Sequence, residues 1–220
     1  MRSASDHWRA DPKLKFDFPP GSRGQESDIH AGGGGRRGGD VYFFAIQPPP
    51  DDILGLVEVG RRLVRGNGLT ARCLPAGRHH ISLVGWRADA SSGGLQVARE
   101  IGRRIVWPTF EVALTAAMSF GRSGSRPLIL GCSPGSAWAL TGLHDRLLEA
   151  AAACGLHLRP RSVFEPHLTL AYSTSGVAER FLEAPIRWMA RDLVLIRSER
   201  GRGRHTELGR WPFRQPPSKG

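Results

Sequence analysis

Two stretches decide the fold of this chain: EPHLTLAY at residues 165–172 and its earlier counterpart HHISLVGW at residues 79–86. Both are bounded by polar or turn-forming residues and are rich in aliphatic, aromatic and hydroxyl side chains, so each predicts a strand. They share one pattern, HISL at 80–83 and HLTL at 167–170. Because side chains alternate along a strand, the histidine and the hydroxyl of each motif face one side and the two aliphatic side chains face the other.

The elements around these strands divide the chain into two similar halves. In the first half the motif follows a buried strand at 41–47 and a helix that begins at Asp51 or Asp52; in the second it follows a strand at 127–132 and a helix at 136–154. The other predicted elements are strands at 69–74, 110–120, 191–199 and 204–213, a helix at 93–104 and a helical turn at 176–182. Helices mixed with hairpins favour an α+β class. We expect two pseudo-symmetric antiparallel sheets, flanked by helices, around a central cleft.

Composition separates the beginning of the chain from the rest. Residues 1–40 hold 8 of the 28 glycines and have no periodic apolar pattern, so we expect a disordered Gly/Pro-rich tail there and one domain over 41–220. Three widely spaced cysteines favour a reducing compartment, and no apolar run is long enough to span a bilayer. These features predict a cytoplasmic protein with no membrane association, and we expect a monomer.

The net charge of +11 favours a polyanionic partner. Only three of the 31 basic residues are lysines, and genome composition alone also produces such an excess of arginine. The charge alone therefore has two explanations, a nucleic acid partner or the composition of the genome.

The paired motifs carry the chemical prediction. If the halves pack about a pseudo-twofold axis, two imidazoles and two hydroxyls converge in one cleft. Such a set suits a phosphodiester, because the hydroxyls of Ser82 and Thr169 donate to phosphate oxygens while His80 and His167 act as general acid and general base. This chemistry needs neither a metal nor a cofactor, and we expect none.

Over about residues 41–213 the chain resembles the two-histidine phosphoesterase superfamily, and within it the bacterial 2′-5′ RNA ligase branch, also called RNA 2′,3′-cyclic phosphodiesterases. The resemblance rests on YFFAIQPPPDDI (42–53), HISL (80–83), FEPHLTLAY (164–172) and LVLIRSERGRGRHTELGRWPF (193–213). It implies a bilobal α+β fold and hydrolysis of an RNA 2′,3′-cyclic phosphate to a 2′-phosphate, with reversible 2′-5′ joining as the same chemistry. By that regiochemistry one histidine protonates the departing 3′ oxygen and the other activates water. The sequence leaves both assignments open, and we take His80 as the acid and His167 as the base.

Two positions depart from the family pattern. Ser82 stands where threonine is commoner, which keeps the hydroxyl and loses the methyl group that restricts its rotamer. The second motif continues into Ala171-Tyr172, where some members have a basic residue for the phosphate. Tyr172 and Phe44 are the candidates for stacking on a base, although the apolar strand around Phe44 favours a place for it in the core. The candidates for contact with the RNA backbone are Arg126, Arg202, Arg204 and His205.

Two other functions stay open on the sequence. The same mechanism would serve a small cyclic nucleotide in place of an RNA end. Alternatively, the cleft binds a nucleotide without turnover, although two complete motifs argue against that role.

Overall fold

A computed structural model of the chain describes residues 40–88, 94–120, 125–158, 164–199 and 202–214. The strands are β1 (Asp40–Ile46), β2 (Ala71–Cys73), β3 (Ile81–Ala88), β4 (Phe110–Ser119), β5 (Arg126–Cys132), β6 (His167–Ser173), β7 (Arg180–Ala190), β8 (Asp192–Glu199) and β9 (Arg204–Pro212). The helices are α1 (Pro50–Gly66), α2 (Gly94–Arg104) and α3 (Pro134–Ala153), with a 3-10 turn at Ala76–Arg78. Apart from Asp40, the predicted tail lies outside the described residues.

The strands form one antiparallel sheet in the order β7-β4-β5-β6-β3-β1-β8-β9, with β2 paired to β6. The two halves meet at its centre, where β3 and β6 share the register pair of Ile81 with Leu168. The predicted α+β class is confirmed, and the strands of the two lobes are joined into a continuous sheet at this pair. In the first half the order is β1, α1 and β3, with the short β2 between α1 and β3; in the second half β5, α3 and β6 occur in the equivalent order.

The helices begin where the sequence places prolines and capping residues. Pro50 opens α1 and is followed by Asp51 and Asp52, whose charges suit the positive end of the helix dipole. Ser133 caps α3, its hydroxyl accepting a hydrogen bond from the Ser136 amide at 3.3 Å. This helix therefore begins two residues before its predicted start. None of the helices in the described ranges is long and apolar enough to cross a membrane.

The helices α1, α2 and α3 lie against one face of the sheet. The main core there contains buried side chains from all three together with alternate residues of the strands, such as Phe44, Ile81 and Leu168. The opposite face, which we call the site face, carries two small apolar clusters: Val41, Phe43, Ala45, Val194 and Ile196 on one lobe, and Ala116, Met118, Phe120 and Ile129 on the other. Neither cluster contains a side chain from these helices.

The helical turn predicted at 176–182 is wrong. Residues 176–179 have no regular structure, and β7 begins at Arg180 and pairs with β4 at the edge of the sheet. Most side chains of β7 are exposed or half-buried, so the strand lacks the apolar alternation that identifies a half-buried strand. Pro185 is tolerated there because an edge strand leaves one row of backbone groups unpaired by the sheet.

Candidate active site

The β3–β6 junction brings the two sequence motifs together. Ile81 of β3 pairs with Leu168 of β6. In an antiparallel register the residues on either side of this pair oppose each other, so His80 faces Thr169 and Ser82 faces His167. Directly opposed residues on antiparallel strands have Cα atoms about 5 Å apart. Each histidine therefore faces the hydroxyl residue of the other half.

The alternation of the two strands separates these four side chains from the core. Ile81, Leu83, Leu168 and Leu170 are fully buried in the main core. His80 and His167 are 4% and 7% exposed and Thr169 is 2% exposed, while Ser82 is half-buried. The functional groups thus lie in a sheltered position on the site face, where water is largely excluded and polar interactions are stronger than in bulk solvent.

Both histidines are held in the same way. Nδ1 of His80 donates to the backbone carbonyl of Arg78 at 2.7 Å, and Nδ1 of His167 donates to that of Glu165 at 2.8 Å. A carbonyl oxygen only accepts hydrogen bonds, so each Nδ1 carries a hydrogen and proton exchange is left to Nε2. Two rings with fixed orientation and a defined tautomer are what paired general acid and general base catalysis requires.

An aromatic ring packs on each histidine. The Phe43 ring centroid lies 4.8 Å from that of His80, and the Phe120 ring meets His167 edge-on at 5.2 Å. Phe43 and Phe120 belong to the two apolar clusters of the site face. Neither was expected from the sequence. For Phe43 the only available signal was alternation along β1, which requires knowing which of two consecutive phenylalanines faces the core.

The same alternation places Phe44 in the core, as its apolar strand favours, and excludes the alternative role of stacking on a base. Phe44 is 1% exposed and packs in the main core against Trp86 and Trp211, on the face of the sheet away from the histidines. Its ring has no surface left for a nucleobase. Phe43, its neighbour, holds the position beside the site.

The β8–β9 hairpin contributes His205 to the site. The His205 ring lies edge-on to His80 with centroids 5.3 Å apart, and 5.5 Å from that of Phe43. Arg202 is instead exposed in the turn and pairs with Glu199 at 3.5 Å. Arg204 precedes His205 on β9, so alternation directs it to the other face. Of the three hairpin residues predicted to contact RNA, only His205 therefore reaches the histidine pair.

Arg126 lies away from the histidine pair. It opposes Ser173 at the far end of β5, five residues from Gly131, the partner of His167, which is roughly 17 Å along the strand. A Cβ at Gly176 would be 2.8 Å from its Nη1, so its guanidinium packs on the loop that follows β6. Arg126 therefore does not reach the histidine pair, and its contact with RNA stays a prediction. Tyr172 is half-buried and opposes Arg72 of β2 and Pro127 of β5.

The polar chemistry of the site rests on imidazoles and hydroxyls. Among the described residues, the buried hydroxyl oxygen of Thr169 has no hydrogen-bond partner. Buried polar atoms are normally satisfied, so this hydroxyl is poised to donate to a bound ligand. Cys132, next to Gly131, is a poor nucleophile, since burial raises the pKa of its thiol to about 12. Within the same described ranges, no cluster of His, Cys, Asp or Glu is suited to hold a metal ion.

Comparisons with known proteins identify the same architecture. A sequence model of the 2′-5′ RNA ligase superfamily matches residues 70–202, more than half of the chain. Apo LigT from E. coli is 24% identical, with 82% of this chain and 100% of LigT covered and a TM-score of 0.64. A solved structure described as a phosphoesterase is 26% identical, with 80% and 99% covered and a TM-score of 0.61. The protein TT0787 of Thermus thermophilus is 20% identical, with 79% and 97% covered and a TM-score of 0.60. No curated protein sequence matches the chain.

Proposed function

The chain belongs to the 2′-5′ RNA ligase superfamily, and from that premise we propose that it opens 2′,3′-cyclic phosphates at RNA ends to 2′-phosphates. The observation that carries this proposal is the register pair of Ile81 with Leu168, from which antiparallel geometry sets each histidine next to the hydroxyl residue of the other motif. A cyclic phosphodiester needs one group to deprotonate water and another to protonate the departing oxygen. The two imidazoles, facing one sheltered position, supply both.

In the proposed reaction His167 is the general base and His80 the general acid. Nε2 of His167 takes a proton from water as the water oxygen bonds to phosphorus. The bond between phosphorus and the ribose 3′ oxygen breaks, and Nε2 of His80 as imidazolium gives its proton to that oxygen. The products are a 2′-phosphate and a 3′-hydroxyl. With a 5′-hydroxyl in place of water, the same proton transfers would form a 2′-5′ linkage.

The hydroxyls of Thr169 and Ser82 bind the non-bridging phosphate oxygens in this proposal. Thr169 is the better placed of the two, because its hydroxyl is buried and has no hydrogen-bond partner in the described part of the chain. The carbonyls that accept from Nδ1 of His80 and His167 fix the orientation of both rings, so that Nε2 of each ring is the atom that exchanges protons. No step requires a metal or a cofactor.

Product mapping tests the proposal. The purified protein is incubated, with EDTA present, with an RNA oligonucleotide that ends in a 2′,3′-cyclic phosphate, and the position of the phosphate is determined. We expect a 2′-phosphate, with loss of product in His80→Ala and normal turnover in His157→Ala, whose exposed histidine lies beyond α3. A 3′-phosphate product would reverse the regiochemistry. Absence of turnover by the folded protein would favour a small cyclic nucleotide, or binding without turnover.

A further inference from the structure

The site face extends along β6 beyond the phosphate site. Ile129 of β5 pairs with Thr169, but Leu128, its neighbour, pairs with Ala171, so Leu170 is one extra residue in β6. Leu170 and Ala171 consequently both lie in the main core. Alternation then returns Tyr172 to the site face, the face that carries His167 and Thr169.

Arg72 stands beside Tyr172 on the same face. The short strand β2 pairs Arg72 with Tyr172, while its flanking residues Ala71 and Cys73 pack on the main core. The side chain of Arg72 therefore points to the site face, where it is exposed. Within the described ranges it pairs with no carboxylate. An aromatic ring and an uncompensated guanidinium thus form a cross-strand pair next to the site.

The separation suits a neighbouring nucleotide. Tyr172 follows Thr169 by three residues, one of which is taken up by the bulge, so the two lie roughly 7–10 Å apart along the strand. On its other side Tyr172 opposes Pro127, a buried ring without a side-chain donor or charge. The neighbour of Tyr172 on β5 is therefore apolar and suits a stacked base. Its neighbour on β2 is cationic and suits the phosphodiester next to that base.

We propose that Tyr172 and Arg72 form a second subsite that recognises the RNA strand itself. Tyr172 stacks on the base of the terminal nucleotide, and Arg72 bonds the phosphodiester on the 5′ side of that nucleotide. The inference rests on the proposed function and sets its substrate class, which is an oligonucleotide end rather than a free cyclic mononucleotide.

Two substrates separate the roles of these residues. One is a nucleoside 2′,3′-cyclic monophosphate without a 5′-phosphate, and the other is a dinucleotide that ends in the same cyclic nucleotide. Arg72→Ala is expected to lower kcat/KM for the dinucleotide by about 10-fold, the scale of one charge-assisted hydrogen bond, and to leave the mononucleotide unchanged. Arg72→Lys is expected to recover part of the loss. Tyr172→Ala should lower kcat/KM for both substrates by about 10-fold, and Tyr172→Phe should retain both rates.

Arg146→Ala is the matched control, because Arg146 is an exposed arginine on α3, on the helical side of the sheet. It should change neither rate. An equal dinucleotide-to-mononucleotide ratio in wild type and Arg72→Ala, with both proteins folded by circular dichroism, would overturn the second subsite while leaving the cyclic phosphodiesterase intact. Failure of the wild-type protein to open either substrate would instead count against the proposed function.

Discussion

At the scale of single residues, the two histidines share a support and differ in their surroundings. Each ring is fixed by a carbonyl two residues earlier in the chain, belonging to Arg78 or Glu165. His80 also contacts the rings of Phe43 and His205, whereas an edge-on Phe120 packs on His167. Equivalent motifs therefore have unequal environments.

Thr169 allows the phosphate contact to be tested without changing side-chain shape. Thr169→Val removes the hydroxyl and keeps the volume, so we expect kcat/KM to fall about 10- to 100-fold, as for loss of a hydrogen bond to a charged group. The melting temperature should stay the same or rise, because the hydroxyl is buried without a partner in the described chain. Thr169→Ser should retain activity. A wild-type rate in the valine variant would exclude the contact.

His205 acts in this account by positioning the His80 ring. His205→Ala removes an edge-to-face contact, so we expect a fall of about 2- to 10-fold in kcat, the scale of one aromatic pair. His205→Phe keeps the packing and should restore kcat. Steady-state kinetics at fixed pH, together with melting temperatures, give the comparison. If the phenylalanine variant is as slow as the alanine variant, the imidazole nitrogens themselves are needed and the positioning role is wrong.

At the scale of elements, the sequence predicts what periodicity and caps determine. Helices α1 and α3 and the two motif strands follow from apolar spacing and from prolines and capping residues at helix starts. The strand β7 did not follow, because its pattern of exposure is set by its place at the sheet edge. The bulge at Leu170 is also not predictable from the sequence, yet it turns Tyr172 toward the site face. Bulges and edges depend on the neighbouring strand, which a single segment does not specify.

Two glycines in helices test the packing of the helical layer. A Cβ at Gly102 of α2 would lie 2.6 Å from the Trp211 ring, whereas one at Gly55 of α1 would meet no atom within 4 Å. Gly102→Ala should lower the free energy of unfolding by about 1–3 kcal/mol through overpacking. Gly55→Ala should raise it by up to about 1 kcal/mol through helix propensity. Denaturant titration measures both, and equal stabilisation by the two changes would mean that α2 packs less closely on β9.

At the scale of the whole molecule, the site exists only because two halves meet. Each half supplies one imidazole and one hydroxyl, and the pair between Ile81 and Leu168 brings them into opposition. The repeated motif predicts the halves and their convergence. It does not predict that the sheets join edge to edge, since that depends on the register between segments far apart in the sequence.

The same arrangement explains why some expected contacts lie elsewhere. Arg126 and Arg204 are near the motif strands in the sequence or the sheet order, but strand length separates the first from the site and alternation turns the second away. Two residues of one sheet belong to the same site only when their side chains lie on the same face and at the same position along the strands. Arg72 shares the face of the histidines and lies beside Tyr172, at the height of the proposed second subsite.

The central claim is that His80 and His167 act as one acid–base unit. The most direct test is the rate of opening of an RNA 2′,3′-cyclic phosphate by wild type, His80→Ala, His167→Ala and the double variant, all verified as folded. We predict a loss of roughly 10²–10⁴-fold in each single variant, with the double variant close to the slower single one, because residues that act as a unit are not additive. Single variants that retain the wild-type rate, or losses that multiply in the double variant, would contradict the account.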